Sequence, residues 1–405
     1  MLFNRPEFEI KPETFINRSG NLEINIDMVD FMKDQLSKEE NPNELLQEYV
    51  SVIDQAIKKT NLDFPWPSFS KDVLMYDFDN LVKSQQQFET VNWSSEKANG
   101  SAFMQYKGES LIFPIKSAGQ KILQQFMDKY RLKCTHTRFP NSTYSLWEKE
   151  TYWLKPFLTE FNLPINEKTL IKGIDRRKNE PKFFRPLCAK AIINMFGAKS
   201  VLDFSAGWGG RLLGFHASNA ESYIGVDPNS KLHYPYQQIN NFCNTGKDTK
   251  FLCAPSEEVE YANVNADLVF TAPPYIDWNY SDDETQSFNR YLSKDQWLNE
   301  YLYPSLQKAW NVLDSGGRMV ICLEDFYSKD KDKIKPVSQY KNICSPMSEF
   351  MLGLGATPEG VLGYSLPTRR KRQGNLLHGT PMFVFSKGKA PDPKFLGFEP
   401  GLFDL

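Results

Sequence analysis

Residues 199–211 constrain the fold of this chain more than any other stretch. Lys199-Ser200-Val201-Leu202-Asp203-Phe204 is a short apolar run. It leads directly into Ser205-Ala206-Gly207-Trp208-Gly209-Gly210, and a helix-compatible segment begins near Gly210. A strand that ends in a Gly-rich turn and opens a helix brings backbone close to a ligand. Some of its positions take φ > 0, which glycine alone adopts cheaply. A lone Gly-x-Gly-Gly is weak evidence, because turns of every kind collect glycine. Here a second feature adds to it: Asp227 ends the run Ser222–Val226, 20 residues beyond Gly207. A carboxylate at that place can accept both ribose hydroxyls of a nucleoside cofactor.

The flanking pattern predicts how the turn is embedded. Strands are expected at 199–204, 222–226, 250–253, 266–271 and 318–323, with a final pair at 361–365 and 382–385. Helices are expected at 187–196, from Gly210, and at 297–313, where Pro304 should kink or split the last. Such alternation predicts an α/β Rossmann-like sheet with helices on both faces. The N-terminal part reads differently. Pro42–Lys59 has apolar residues at helical spacing, with Asn41 as a cap and Pro42 at the first helical position. A second helix is expected at 118–130. Asp63-Phe64-Pro65-Trp66-Pro67-Ser68 reads as a linker. The expected organisation is an α-rich or mixed accessory, target-recognition domain at 1–165, the sheet domain at 166–390 and a tail at 391–405.

At 405 residues, 40% apolar and 24% charged, the chain has the composition of a globular protein with more than one domain. A net charge of −2 leaves nucleic-acid binding to local basic patches. The six cysteines form no Cys-x-x-Cys pair, so neither a zinc site nor a disulfide framework is expected, and a reducing compartment is. No apolar run approaches a membrane span, and the Met1 end lacks the basic and apolar regions of a signal peptide. The expectation is a cytoplasmic protein with no metal and no membrane partner.

The turn alone leaves a dinucleotide and S-adenosylmethionine both open. A pyrophosphate turn prefers Gly-x-Gly-x-x-Gly, whereas this one opens with Asp203 and carries Trp208 and Arg211. Asp203-x-x-x-Gly207-x-Gly209 resembles motif I of class I S-adenosylmethionine-dependent methyltransferases. Ala272-Pro273-Pro274-Tyr275 resembles their motif IV, the [Asn/Asp/Ser]-Pro-Pro-Tyr of amino-methylating nucleic-acid enzymes. Phe184-Arg185-Pro186 looks like the Phe-x-Pro that precedes motif I in many DNA methyltransferases. The resemblance covers residues 180–390, and Ala206-Gly207-Trp208-Gly209-Gly210-Arg211-Leu212 looks most like phage- and virus-type DNA methyltransferase domains. The resemblance implies S-adenosylmethionine as cofactor and DNA as partner, with RNA as the alternative, in a host-cell cytoplasm. It implies that Asp203 contacts the methionine amino group through the turn that includes Ser205. Gly207 and Gly209 let the cofactor lie against backbone, and Phe184 and Pro186 pack near its methionyl end or adenine. The acid that receives the adenine amine in many members is missing after the third strand. Ser256 or Glu257 stands in its place.

The expected reaction centre is Pro273, Pro274 and Tyr275. A side-chain acceptor and the first proline's carbonyl would hold both N–H groups of an exocyclic amine and aim its lone pair, while the tyrosine stacks on the base. Ala272 occupies the acceptor position and cannot hydrogen-bond through its side chain. Asp277 is the candidate replacement. Other readings are a non-standard target or a domain that binds without catalysing. Methylation at cytosine carbon 5 needs a nearby thiolate, and no cysteine lies between Cys253 and Cys322. Residues 276–287 read as a loop over the mouth, where Trp278 or Tyr280 could stack on a base or anchor the loop. Phosphate contacts are expected from Arg369, Arg370, Lys371 and Arg372, which read equally as a solvated hairpin tip. A second basic concentration runs from Lys168 to Lys190 and includes Arg176, Arg177 and Lys178.

Overall fold

The structure is a computed structural model that describes residues 11–60, 62–85, 88–94, 105–136, 140–149, 151–175, 180–281, 284–328, 339–365 and 377–393. The chain divides into two compact units. One comprises Met1–Pro67 and Leu132–Glu180, the other Ser68–Arg131 and Pro181–Leu405. The expected linker at 63–68 coincides with the first crossing. The chain crosses between the units three times, and 68–131 supplies helices and strands to the sheet unit.

The first unit is helical. In Ile26–Lys38, Asn25 accepts from the Met28 amide and caps the helix, and Val29 and Met32 are buried. Pro42–Lys59 forms as expected with Pro42 in its first turn, but Asn41 makes no side-chain capping bond. Its buried face of Leu46, Tyr49, Ile53 and Ile57 joins Phe157, Ile165 and Leu170 in one core.

Among the described residues the second unit has a sheet of ten strands, in chain order β1 (Glu89–Thr90), β2 (Trp93–Ser94), β3 (Leu111–Phe113), β4 (Ser200–Asp203), β5 (Ser222–Val226), β6 (Asp248–Leu252), β7 (Ala266–Thr271), β8 (Leu313–Cys322), β9 (Thr357–Ser365) and β10 (Leu377–Ser386). Nine run in the order β1-β3-β9-β10-β8-β7-β4-β5-β6, and β2 pairs with β10. The five strands from β6 to β8 are all parallel, and β10 is antiparallel to β8 and β9. This is the doubly wound, Rossmann-like sheet expected from the alternation. Its helices are α1 (Lys71–Lys83), α2 (Gln120–Arg131), α3 (Pro186–Met195), α4 (Gly210–His216), α5 (Ser230–Cys243) and α6 (Tyr303–Asn311), followed by α7 (Cys344–Gly353).

Two local features have identifiable causes. Pro304 lies in the first turn of α6, and the preceding turn, Trp297–Leu302, is a π-helix, so the proline changes the hydrogen-bonding pattern while helical backbone runs through it. Lys190 on α3 donates to the carbonyls of Leu81 (3.1 Å), Val82 and Ser84 (2.9 Å), satisfying groups left open at the end of α1. Lys190 therefore serves the fold, whereas the sequence placed it in a substrate-gripping patch.

Candidate cofactor and substrate site

The sheet changes direction between β4 and β7. From β4 the chain moves outward to β5 and β6, then returns to β7 on the other side of β4. The carboxyl ends of strands at such a reversal leave a crevice where α/β proteins bind ligands. Asp203 ends β4, Asp227 follows β5, and Ala272-Pro273-Pro274-Tyr275 follows Thr271 at the end of β7.

Asp203 is fully buried, and its carboxylate is already engaged. Arg211 donates to it from Nε (2.7 Å) and Nη2 (3.2 Å), the Tyr223 hydroxyl at 2.8 Å and the Ser205 amide at 3.2 Å. Arg211 also donates to the Ser205 carbonyl, and its guanidinium lies 5.4 Å from the Phe184 ring centroid. Four donors on two oxygens make Asp203 the anchor of the turn. Sequence reading missed Tyr223 and this role of Arg211. The clue was an arginine in the first turn of an apolar helix, where the dipole disfavours a cation unless a buried acid faces it.

The turn itself is shaped for close approach. Gly207 has φ 53°, and a Cβ there would meet only the Ser205 carbonyl, at 3.6 Å, so one face of the turn is open. Its amide donates to Asp227 at 2.9 Å, and its carbonyl accepts from the Tyr236 hydroxyl. Gly209, with φ 70°, is the N-terminal cap of α4. Gly210 is needed for packing, since a Cβ there would lie 2.1 Å from the Phe184 carbonyl. Asp227 also accepts from the Asn229 amide at 2.9 Å. Burial raises its pKa, and the two amide bonds partly oppose that.

Phe184 is half-buried, stacked on Tyr364 (centroids 5.0 Å apart, 11° between planes) and edge-on to Phe270 at 5.3 Å. Pro186 is buried as the first residue of α3. After β6, the Ser256 hydroxyl bonds to that of Ser305 at 2.8 Å, within the fold. Glu257 accepts from Arg290 (2.8 Å) and from the Tyr291 hydroxyl through one oxygen. Its other oxygen is buried with no partner among the described residues, as is the Tyr261 hydroxyl. Burial raises the pKa of Glu257. Of the two stand-ins, Glu257 is the one that keeps an open acceptor.

Beyond β7, Ala272-Pro273-Pro274-Tyr275 forms the strand-end turn. Pro273 is buried, and Ala272 and Pro274 are half-buried. The half-buried Tyr275 ring packs edge-on to Phe326 at 5.2 Å, and its hydroxyl accepts from the Glu324 amide at 3.1 Å. The tyrosine is thus anchored at its tip. Asp277 is buried, at 5% exposure. The loop that follows is organised by Gln286, which accepts from the Tyr280 and Ser281 amides and donates to Asn279. Trp278 and Tyr280 stack with centroids 6.2 Å apart, and Trp208 lies 6.3 Å from Tyr280. Burial pushes the Cys322 thiol, at the end of β8, up to about 12, so no thiolate is prepared there. Arg176, Arg177 and Lys178, and Arg369, Arg370, Lys371 and Arg372, lie outside the described residues. Among the described residues no cluster of His, Cys, Asp and Glu could hold a metal, and no helix is long and apolar enough to cross a membrane.

No protein-family model matches the chain, and no curated protein matches it in sequence. Solved structures do show likeness to about half of it. TrmN from Thermus thermophilus is 16% identical over 50% of this chain, with a TM-score of 0.32, and the match spans only 48% of that protein. An rRNA methylase from Streptococcus thermophilus is 14% identical, with 51% of this chain and 99% of that one covered and a TM-score of 0.31. The CcbJ methyltransferase from Streptomyces caelestis is 11% identical, with 50% and 88% covered and a TM-score of 0.33.

Proposed function

We propose that the chain is an S-adenosylmethionine-dependent methyltransferase acting on nucleic acid, with an exocyclic amine of a DNA base, adenine N6 or cytosine N4, as the target. One observation carries this reading. At the reversal of the sheet, a glycine turn with an open face, the Asp227 carboxylate and a Pro-Pro-Tyr turn stand on the ends of β4, β5 and β7.

The residues fit the cofactor. Asp227 would take the ribose hydroxyls, and the open face of Gly207 would lie against the methionyl portion. The unpartnered oxygen of Glu257, buried beyond β6, suits an adenine amine. Phe184 offers a partly exposed aromatic face. Bound there, the cofactor supplies an electrophilic methyl group on sulfur. The chain's own work is to orient the amine, since an in-line displacement depends on placing the nucleophile. The Pro273 carbonyl can accept one N–H of the amine and Tyr275 can cover the base. As the new N–C bond forms and the C–S bond breaks, the amine sheds one proton to solvent. With Ala272 at the acceptor position and Asp277 buried, the second N–H is held less firmly than in the Pro-Pro-Tyr enzymes this motif resembles.

Incubating the full-length chain with methyl-labelled cofactor and plasmid or phage DNA tests the reading. Label in DNA bases that Asp227→Ala abolishes is the expected result. Label in RNA or protein alone would overturn the DNA assignment. A second reading is favoured by Ala272: a cofactor-binding subunit without turnover. Calorimetric binding with no labelled product from DNA, RNA or protein would select it.

A further inference from the structure

We propose that Ser205 and Thr271 form a positioning latch that sets the distance between the cofactor turn and the Pro-Pro-Tyr turn. The inference rests on the methyltransferase reading above for its consequence, though its geometry stands independently.

The paired backbones of β4 and β7 are in register only to Leu202 and Val269. Past that point the two strand ends diverge into different turns, one carrying Gly207 and the other Ala272-Pro273-Pro274-Tyr275. Ser205 Oγ and Thr271 Oγ1 lie 2.5 Å apart across this gap, and either hydroxyl can donate. Thr271 is fully buried and Ser205 nearly so. Ser205 is held at its other polar atoms too: its amide donates to Asp203 and its carbonyl accepts from Arg211. The Asp203–Arg211 pair therefore fixes Ser205 on one side, and Ser205 fixes Thr271 on the other. Thr271 is directly followed by Ala272.

Ser205 is thus a positioning residue, with its hydroxyl spent inside the protein rather than on the cofactor. Cofactor affinity comes from Gly207 and Asp227 on the β4–β5 side. The reacting amine is held on the β7 side. A loosened latch leaves the first intact and shifts the second relative to it. Displacements of about 1 Å at a reacting centre cost on the order of a hundredfold in rate.

The test compares Thr271→Val, Thr271→Ser and the double variant Ser205→Ala/Thr271→Val in the full-length chain. The double variant removes both hydroxyls and leaves no buried group unpaired, so it should fold even where Thr271→Val is unstable. The expected result is a drop in kcat of about tenfold or more for Thr271→Val and the double variant, with cofactor Kd within about twofold of wild type. Thr271→Ser should recover most of the lost turnover. A second readout needs neither cofactor nor turnover. Hydrogen exchange of the cofactor-free protein should show peptides 203–210 and 268–276 losing protection together in the double variant, and keeping it in Thr271→Ser. Loss confined to one peptide, or equal falls in cofactor affinity and turnover, would overturn the latch. Absence of turnover in the wild type would sink the methyltransferase reading and leave exchange to decide the latch.

Discussion

Arg211 grips Asp203 through two parallel N–H donors, at 2.7 and 3.2 Å, and neither residue is more than 4% exposed. A buried pair of this kind adds little net stability over apolar residues of the same size, but breaking it strands a charge. Replacing Arg211 with Met is therefore expected to destabilise the sheet unit by about 3–5 kcal/mol. Asp203→Asn/Arg211→Met should be milder than Arg211→Met alone. Urea denaturation of the three proteins checks both statements, and an Arg211→Met protein as stable as wild type would remove the anchor role.

Gly207 and Gly210 sit three residues apart and should fail in different ways. Gly207→Ala places a Cβ in open space at φ 53°, costing about 1–2 kcal/mol for the left-handed backbone. It also occupies the face proposed for the cofactor. Gly210→Ala drives a Cβ to within 2.1 Å of the Phe184 carbonyl, and should cost about 3 kcal/mol or more. Thermal melts with and without S-adenosylmethionine separate the two. Gly207→Ala should keep most of its stability and lose the ligand-induced rise in Tm.

Asp227→Asn should weaken S-adenosylmethionine binding by roughly 2 kcal/mol, or about thirtyfold in Kd, because a neutral amide is the weaker acceptor for two ribose hydroxyls. The pH dependence has a definite sign. Burial raises the Asp227 pKa, and only the ionised carboxylate accepts from both hydroxyls. Affinity should therefore decline on acidification at a pH above the ordinary aspartate value, and Asp227→Asn should flatten that decline. Isothermal titration at several pH values reads both effects.

His216 supplies a stability titration remote from the proposed chemistry. Its Nδ1 lies 2.8 Å from the Thr245 hydroxyl, and burial lowers its pKa from 6.5 to about 4. The folded state then resists protonation that the unfolded chain accepts. Stability from this site is complete above pH 6.5 and lost as pH falls toward 4, amounting to about 3 kcal/mol at 1.36 kcal/mol per unit. A His216→Gln variant should show a shallower loss of stability across that window in denaturant titrations.

Ala272→Asn restores a side-chain acceptor at the head of the Pro-Pro-Tyr turn. If an amine is the target, turnover should rise by about tenfold, the order expected when one hydrogen bond is regained in the transition state. Equal or lower turnover would indicate that the substrate presents no second N–H there. Single-turnover assays on DNA containing each base provide the measurement.

Much of the sheet could be read from sequence because local pattern and global fold agree there. Ser222–Val226 and Ala266–Thr271 were placed to the residue, and the Gly-rich turn lay where the strand–helix context put it. Glu89–Thr90 and Leu111–Phe113 escaped notice. Two- and three-residue strands have no measurable alternation, and their pairing partners are distant in sequence. At the site, sequence names residues but not what they touch inside the protein. Asp203 and Ser205 are picked out by their place in a motif, and motifs record position. Arg211, Tyr223 and Thr271 claim their polar atoms, and such pairings depend on which side chains face each other across the sheet.

The divided first unit has a consequence for how the chain is made. Met1–Pro67 completes its core only with Leu132–Glu180, so residues 1–67 wait during synthesis while the 64 residues of 68–131 pass. Those intervening residues in turn wait for the strands after Pro181. Neither unit can mature as a contiguous nascent piece, and a clone started at residue 166 would lack α1, α2 and three strands of its own sheet. Any dissection of this protein has to keep the chain whole or reconnect it in a new order.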